Sequence, residues 1–194
     1  MSNLSEVTKR IQQLSQLKPT SSSRKEIEGY LSSKWEGVQA AAVKALGTWG
    51  DRESIETIKA FLVPLFERER AGSLRGVAIH ALSPHITAED ADWVLDLYFK
   101  LHNSRDFLPI IGGPKSEMIL LVIKLPMTLA RDRLVAALRD PDWENRNAAV
   151  NAIAGMAYPD RIELFEPLCD DPNPVVRDNA RFFIGLYHMQ SGNG

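Results

Sequence analysis

The sequence predicts an all-α protein, a solenoid of about five two-helix repeats. A short segment returns along the chain, because residues 140–146, DPDWENR, reappear in altered form as residues 171–177, DPNPVVR. Each copy leads into apolar residues at helical spacing, and no stretch keeps the alternating pattern of a β-strand. Since a two-helix unit can bury its apolar face only against its neighbours, we expect a contiguous array.

The second helix of each repeat shows one register four times. Arg or Gln is followed by Ala three residues later and by a branched aliphatic residue four residues beyond that, and in three of the copies an apolar residue precedes the Arg or Gln. Small alanines let neighbouring helices approach, while larger aliphatic side chains fill the space between them. The alanines are Ala42, Ala78, Ala149 and Ala180, and the aliphatic residues are Leu46, Leu82, Ile153 and Ile184.

The register predicts a single domain over residues 1–194. Capping helices are expected over residues 1–32, repeats over 33–188 and a disordered tail over 189–194. Ser23 with Glu26, and Thr87 with Asp90, have the spacing of a capping box at a helix start. Further helix starts are expected at Asp51 and Asp160, and stops at Gly47, Gly50 and Gly155.

Composition limits the partner classes. The formal net charge is −2, with 23 basic and 25 acidic residues, so no positive field concentrates a polyanion and a nucleic-acid partner is disfavoured. The apolar run at residues 118–123 is too short to cross a bilayer, and no membrane partner is expected. The first residues lack a signal-peptide core, and a single cysteine suits a reducing compartment. We therefore expect a cytoplasmic protein.

The Asp-Pro turns at 140–141 and 171–172, the arginines at 75, 146 and 177 and the Ala/Leu/Gly register together resemble the HEAT-repeat family. The similarity covers roughly residues 33–188, and its short repeats are of the phycobilin-lyase type. It implies an armadillo-type fold used as a binding scaffold. It also implies that Arg75, Arg146 and Arg177 bond the Asp of an inter-repeat turn, Asp140 or Asp171, as a structural ladder. An anion-binding ladder is the alternative. Residues 103–130 match only loosely, which indicates a degenerate repeat or an inserted loop.

Motifs for catalysis or metal binding are absent from the sequence. HExxH, paired CxxC, Walker and GxSxG motifs do not occur. His80 and His85 are separated by the Ser83-Pro84 break, which does not suit convergent metal ligands. The segment 111–115 has two glycines near Lys115, but Pro114 follows them, and we interpret it as a flexible loop. The sequence thus predicts no catalytic residue, no metal site and no cofactor.

The outward positions of the second helices predict the partner surface, since second helices line the concave side of such arrays. These positions hold small and mixed residues, which suit an extended peptide or helix better than a phosphate backbone. Phe183 should be buried and Phe182 should face outward. The predicted contact residues are Lys44, His80, Asn147, Asn151, Asp178 and Phe182, together with Trp35 and Trp143 at turn positions.

A protein-binding scaffold is the function that these features favour, in the form of a small adaptor or assembly factor of bacterial type whose partner is a protein or peptide. Two other classes stay open. A chromophore-handling enzyme subunit, similar to the phycobilin lyases, would need an aromatic cleft. A DNA-handling solenoid, similar to the HEAT-like alkylpurine glycosylases, would need a cationic lining that the sequence lacks.

Overall fold

The computed structural model describes residues 4–68, 71–101 and 114–191, and within these ranges it contains helices and no strand, as predicted. Short 3-10 segments follow or precede several helices. The α-helices of the described residues are α1 Leu4–Ser15, α2 Ser21–Tyr30, α3 Glu36–Trp49, α4 Arg52–Leu62, α5 Gly72–Leu82, α6 Ala91–Lys100, α7 Pro114–Val122, α8 Met127–Ala137, α9 Trp143–Met156, α10 Arg161–Phe165 and α11 Pro174–Ser191.

Two compact units divide the chain. Unit 1 is Met1–Ile86 and contains α1 to α5, whereas unit 2 is Thr87–Gly194 and contains α6 to α11. Each unit has its own apolar core. A single domain over residues 1–194, with caps at 1–32 and repeats at 33–188, stays a prediction.

Unit 1 is built around α3, which packs against α1, α2, α4 and α5. The positions that the repeat register marked on α3, Ala42 and Leu46, are both fully buried. Their counterparts on α5, Ala78 and Leu82, are also fully buried. The small-then-large register therefore places α3 against α5, because alanine permits the approach and leucine fills the space beside it.

Gly47 lies where α3 and α5 come closest. A Cβ atom at this position would lie 2.8 Å from the Cβ of Ala81, so no larger residue fits without a shift. The predicted helix stop at Gly47 is wrong, because α3 continues to Trp49. The stop is Gly50, whose φ of 61° is in the left-handed region that glycine adopts without strain.

The start of α2 differs from the sequence prediction. Thr20, not Ser23, is the N-cap: its Oγ1 accepts from the Ser23 amide at 3.2 Å, and the Thr20 amide donates to Ser23 Oγ at 2.8 Å. Ser23 thus takes the role expected of Glu26, which binds Arg10 at 2.8 Å. A serine three residues after a threonine closes the same reciprocal pair as a glutamate, and that possibility was missed.

Two other predicted helix starts have the expected bonds. The carboxylate of Asp90 accepts from the Thr87 amide at 2.9 Å and from the Thr87 hydroxyl at 3.0 Å, which closes the capping box before α6. Asp51 accepts from the Ser54 amide at 2.9 Å and caps α4. Asp160 precedes α10 but makes no capping bond, since its carboxylate is held by Arg131.

Unit 2 is built around α9, which packs against α7, α8, α10 and α11. Ala149 and Ile153 on α9 and Ala180 on α11 are fully buried, as the register predicts, and Ile184 is half-buried. From α6, the buried Tyr98 donates its hydroxyl to the carbonyl of Ala148 at 2.8 Å. This bond ties α6 to α9.

Helix ends in unit 2 extend beyond their predicted positions. The helix α9 passes Gly155 and ends at Met156, with Ala157 in the left-handed region at φ 53°. The last helix, α11, continues to Ser191, so residues 189–191 are helical rather than part of a disordered tail. No glycine or proline occurs between Gly185 and Gly192 to stop it. Residues 192–194 lie outside the described residues.

The predicted loop around residues 103–116 is described only at its end. Pro114 and Lys115 are the first residues of α7, and proline is favoured at this position because its missing amide has no partner there. Residues 102–113 lie outside the described ranges. Lys115, expected in a flexible loop, is therefore held on a helix in the core of unit 2.

Candidate functional site

Arg146 ties two successive turns together. Its Nε and Nη2 donate to the carboxylate of Asp171 at 2.7 and 2.9 Å, and its Nη1 donates to the carbonyls of Asp140 and Pro141 at 2.8 and 3.1 Å. Asp171 also accepts from the Asn173 amide. The bond from Arg146 holds the pKa of the Asp171 carboxyl below its usual range. Four of the five N–H donors of the guanidinium are therefore matched by acceptors within the protein.

The other two ladder arginines bond backbone carbonyls. Arg177 donates from Nη1 to the Asp171 carbonyl at 2.9 Å, as Arg146 does in its own turn. Arg75 donates to the carbonyls of Leu65 and Arg68 at 3.2 and 3.3 Å. Residues 63–71 contain no Asp, so the turn before α5 has no residue of the same type as Asp140 or Asp171.

Sequence reasoning missed a second set of arginine bonds between first helices. Arg24 on α2 donates to Asp51 before α4 at 2.7 Å, and Arg131 on α8 donates to Asp160 before α10 at 2.8 Å. Each bond lowers the pKa of its carboxyl. The sequence signal for such a bond is an arginine in the first turns of one helix and an Asp just before the second helix that follows it.

A cleft of about 600 Å³ opens in unit 2 beside α9 and α11, and we call it the unit 2 cleft. One wall is aromatic. Phe182 and Phe183 meet edge to face with ring centroids 5.3 Å apart, and Tyr187 stacks on Phe183 at 6.3 Å. Phe182 is 62% exposed, an unusual degree for so large an apolar side chain. Phe183 is half-buried rather than buried, because it also faces the cleft.

Asparagines from consecutive second helices line the floor of the unit 2 cleft. Asn179 donates its side-chain amide to the Asn147 carbonyl oxygen at 2.7 Å. Asn147 was expected to face outward, but it is only 5% exposed, because α11 packs on α9 and covers it. Asn151, one turn further along α9, is half-buried and lines the cleft.

Two cations that sequence reasoning did not select also line the unit 2 cleft. Lys115 is 3% exposed, and its Nζ donates to Asn145 Oδ1 at 2.5 Å. Burial lowers the pKa of the Lys115 ammonium. Arg161 lies flat on the Tyr187 ring, with 4.0 Å between its Cζ and the ring centroid, and donates to the Tyr158 carbonyl at 2.9 Å. Their separation in sequence hides that they share one cleft.

Lys44 and His80 lie in unit 1 along a shallow depression of about 800 Å³ between α3 and α5, which we call the unit 1 groove. Both side chains are exposed. Small residues such as Gly76 and Ala81 form its floor.

The remaining predicted contact residues lie outside both the unit 2 cleft and the unit 1 groove. Trp35 is exposed before α3, with the Lys34 ammonium 5.4 Å from its ring centroid. Trp143 is the half-buried first residue of α9, and Asp178 on α11 is exposed. Asp178 lies one turn before Phe182 on α11, but it does not line the unit 2 cleft.

Groups of three or more His, Cys, Asp or Glu side chains that could hold a metal ion are absent from the part of the chain that the structure describes. His85 lies with Nε2 2.9 Å from the Gly47 carbonyl, a packing role at the end of α3. None of the helices at residues 4–68, 71–101 and 114–191 is long and apolar enough to cross a membrane.

Comparison with known families agrees with the repeats. The family model described as HEAT repeats matches residues 117–183, about a third of the chain, which include α9, the first part of α11 and most of the unit 2 cleft. The predicted resemblance to HEAT repeats is thereby confirmed for this segment. Arg146 and Asp171 both lie within the matched residues.

Solved structures extend the similarity over most of the chain. The complex of CpcE and CpcF of phycocyanin lyase from Nostoc sp. PCC7120 matches with a TM-score of 0.51 and 17% identity, over 93% of this chain and 70% of that one. A homology model of the full-length AP-3 complex matches with a TM-score of 0.51 and 19% identity, over 93% of this chain and 34% of that one. No curated protein matches the sequence. These similarities show the all-α solenoid fold predicted from the HEAT repeats.

Proposed function

We propose that this chain is a non-catalytic protein-binding scaffold whose unit 2 cleft holds a peptide segment of another protein. The observation that carries the proposal is Phe182, which is 62% exposed at the edge of a cleft of about 600 Å³. Exposed aromatic side chains beside a concave surface are typical of binding hot spots, because they bury a large apolar area with few rotatable bonds.

The mixture of groups in the unit 2 cleft supports a peptide ligand. Phe182, Phe183 and Tyr187 offer apolar contacts for side chains. Asn151 and Asn179 offer amide donors and acceptors that match those of a peptide backbone. A cleft that combines an apolar wall with a few polar groups is the usual form of a binding site.

The test selects peptides and then removes the exposed ring. Peptides from a random display library are selected on the immobilised chain, and their affinities are measured by fluorescence anisotropy. Phe182→Ala should weaken binding roughly tenfold or more, as truncation of an aromatic hot spot does. The matched control is Met189→Ala, since Met189 is equally exposed on α11 but does not line the cleft.

Circular dichroism should show the same helicity and melting midpoint for both variants. If Phe182→Ala and Met189→Ala bind the selected peptides as the parent does, the unit 2 cleft is not the binding surface. The unit 1 groove is then tested with His80→Ala, because His80 is exposed there beside Lys44. Binding that survives all three substitutions would contradict the scaffold proposal in this form.

A chromophore-handling subunit is the second candidate, and the aromatic wall of the unit 2 cleft favours it. The resemblance to phycobilin lyases implied an aromatic cleft, and Phe182, Phe183 and Tyr187 provide one. Titration of the chain with biliverdin should then shift the visible absorbance of the pigment, and Phe182→Ala should reduce the shift. An unchanged spectrum at pigment excess removes this candidate.

A further inference from the structure

Three buried or half-buried cations in this protein are held by carboxylates. Lys59, 6% exposed, donates to Glu56 at 3.0 Å. Arg24 and Arg146 bond Asp51 and Asp171 at 2.7 Å each. This is the expected arrangement, because a charge removed from water costs several kcal/mol unless a counter-charge lies close to it. At these three positions the fold supplies the anion, and the buried Arg75 donates to two backbone carbonyls.

Lys115 breaks this pattern. It is more deeply buried than Lys59, yet its Nζ bonds only the neutral amide oxygen of Asn145 among the described residues. An ammonium has three donors, so two of them have no acceptor within the described part of the chain. The Lys115 side chain lines the unit 2 cleft, the direction from which an acceptor could reach it.

Arg161, on the same cleft, also has a donor without a hydrogen-bond partner among the described residues. This donor is its buried Nε–H. One of its terminal nitrogens bonds the Tyr158 carbonyl, and the guanidinium lies on Tyr187, so no carboxylate of the described residues neutralises it. Two other arginines of unit 2 have carboxylate partners: Arg131 bonds Asp160 and Arg146 bonds Asp171.

The charges that line the unit 2 cleft are Lys115, Arg161 and Glu144. Burial lowers the pKa of Lys115, and the nearby carboxylates of Glu144, Asp142 and Asp140 raise it by a smaller amount. The described lining therefore carries one more cation than anions, in a cleft with an aromatic wall. A negatively charged ligand would supply counter-charges to both Lys115 and Arg161.

We infer that the unit 2 cleft takes an acidic peptide, with a Glu or Asp side chain of the ligand bonding the Lys115 ammonium and another bonding the Arg161 guanidinium. The inference rests on the proposed function and specifies its partner. The ligand's apolar side chains lie on Phe182 and Phe183. A carboxylate that replaces water around a buried ammonium forms a charge-assisted bond, about twice as strong as a neutral one.

The experiment uses matched peptide pairs. Fluorescein-labelled peptides of about eight residues, which span roughly 25 Å when extended, carry two Glu residues at varied spacing between apolar residues, with blocked ends. Their partners have Gln at both positions. At low salt the best Glu peptide should bind roughly tenfold or more tightly than its Gln partner, since a tenfold change corresponds to a single good charged contact.

Variants of the protein separate the two cationic positions. Lys115→Met keeps the length of the side chain and removes the charge, and Arg161→Gln removes the guanidinium. Each substitution should weaken binding of the Glu peptide roughly tenfold and leave binding of the Gln peptide unchanged. Lys124→Met is the matched control, because Lys124 is exposed between α7 and α8 and does not line the cleft.

Stability distinguishes a ligand site from a structural lysine. If Lys115 served the fold, Lys115→Met would lower the melting temperature. We expect the melting temperature to stay the same or rise, because a buried ammonium that bonds only a neutral amide oxygen is replaced by an apolar chain of similar size.

The possible results separate this inference from the proposed function. Equal binding of Glu and Gln peptides, both lost with Phe182→Ala, would leave the peptide scaffold intact and overturn the acidic ligand. Binding of the Glu peptide that Lys115→Met and Arg161→Gln leave unchanged would overturn it as well. If neither peptide set binds, and no peptide can be selected from the library, both the scaffold proposal and the inference are overturned.

Discussion

At the scale of single residues, Gly47 shows that a missing side chain can set the distance between two helices. Because a Cβ atom at Gly47 would meet Ala81 at 2.8 Å, Gly47→Ala should push α3 from α5 or strain both. We expect it to lower the free energy of unfolding by about 1–3 kcal/mol, the usual cost of overpacking. Chemical denaturation followed by circular dichroism measures the change.

Gly76→Ala is the control for this prediction. Gly76 lies on α5, the partner helix, and a Cβ atom there would have no neighbour within 4 Å. Alanine in an open helix position should stabilise the chain by about 0.5–1 kcal/mol, since glycine loses more backbone entropy on folding. Equal effects of the two substitutions would show that helix propensity, not contact, governs Gly47.

Residue burial could be predicted from the sequence only where one pattern decides it. The Ala and Leu positions of the second helices repeat at fixed spacing, and Ala42, Leu46, Ala78 and Leu82 are buried as predicted. Asn147 belongs to the same helix face by register, but its burial depends on how closely α11 lies on α9. Such a distance is a property of the packed pair, so a single-helix pattern does not contain it.

At the scale of helices and turns, the bond from Arg146 to Asp171 joins α9 to the turn before α11. The Arg146 and Asp171 side chains are 12% and 4% exposed. Arg146→Ala should lower the free energy of unfolding by about 3 kcal/mol, because it leaves a buried carboxylate unpaired. Urea denaturation of Arg146→Ala, Asp171→Ala and the double variant gives the coupling energy, which should exceed about 1 kcal/mol.

The exposed pair of Arg181 and Asp170 is the comparison for that cycle. These side chains lie 3.5 Å apart and are 55% and 94% exposed. Their coupling should be below about 0.5 kcal/mol, as for most solvent-exposed pairs. A coupling of Arg146 with Asp171 no larger than this would contradict the structural role of the ladder.

Helix ends were predictable where a single side chain decides them. Asp51 caps α4 as predicted, because an aspartate before an apolar helical run has one obvious amide to bind. Asp160 has the same sequence context, but Arg131 bonds both of its carboxylate oxygens. Arg24 bonds only one oxygen of Asp51 and leaves the other for the cap. Competition between a local amide and a distant guanidinium depends on tertiary packing, and the local sequence does not reveal its outcome.

At the scale of the whole molecule, several carboxyl groups make stability depend on pH in one direction. Bonds from arginines lower the pKa of Glu26, Asp51, Asp160 and Asp171. A carboxyl whose folded pKa lies below its unfolded value of about 4 contributes its full stabilisation above that value. The contribution is lost as pH falls through the folded pKa, so stability should fall steadily below about pH 4.

Urea midpoints measured from pH 7 down to pH 3 test this prediction. Asp171→Asn should be less stable at pH 7, and its midpoint should fall less steeply with acid, because one of the linked carboxyls is gone. Parallel curves for the parent and Asp171→Asn would show that this carboxyl does not contribute to the acid dependence.

The candidate site was harder to predict than the fold. The exposed position of Phe182 follows from the repeat register, since its counterpart Lys44 occupies an outward position too. Lys115 and Arg161 were not selected, because they belong to different helices and neither repeats at the spacing of the array. A recurring helix face is a local pattern, but a cluster of cations with too few carboxylates is visible only when the chain is folded.

Arg146 also has a consequence for comparing sequences. Its guanidinium contacts four oxygen atoms in two different turns at once, and these contacts use three separate nitrogens. Lysine carries the same charge but has one nitrogen, which cannot span both turns. In an alignment of relatives, a lysine at position 146 therefore counts as a loss of the motif and not as a conservative exchange, whatever a general substitution matrix assigns to it.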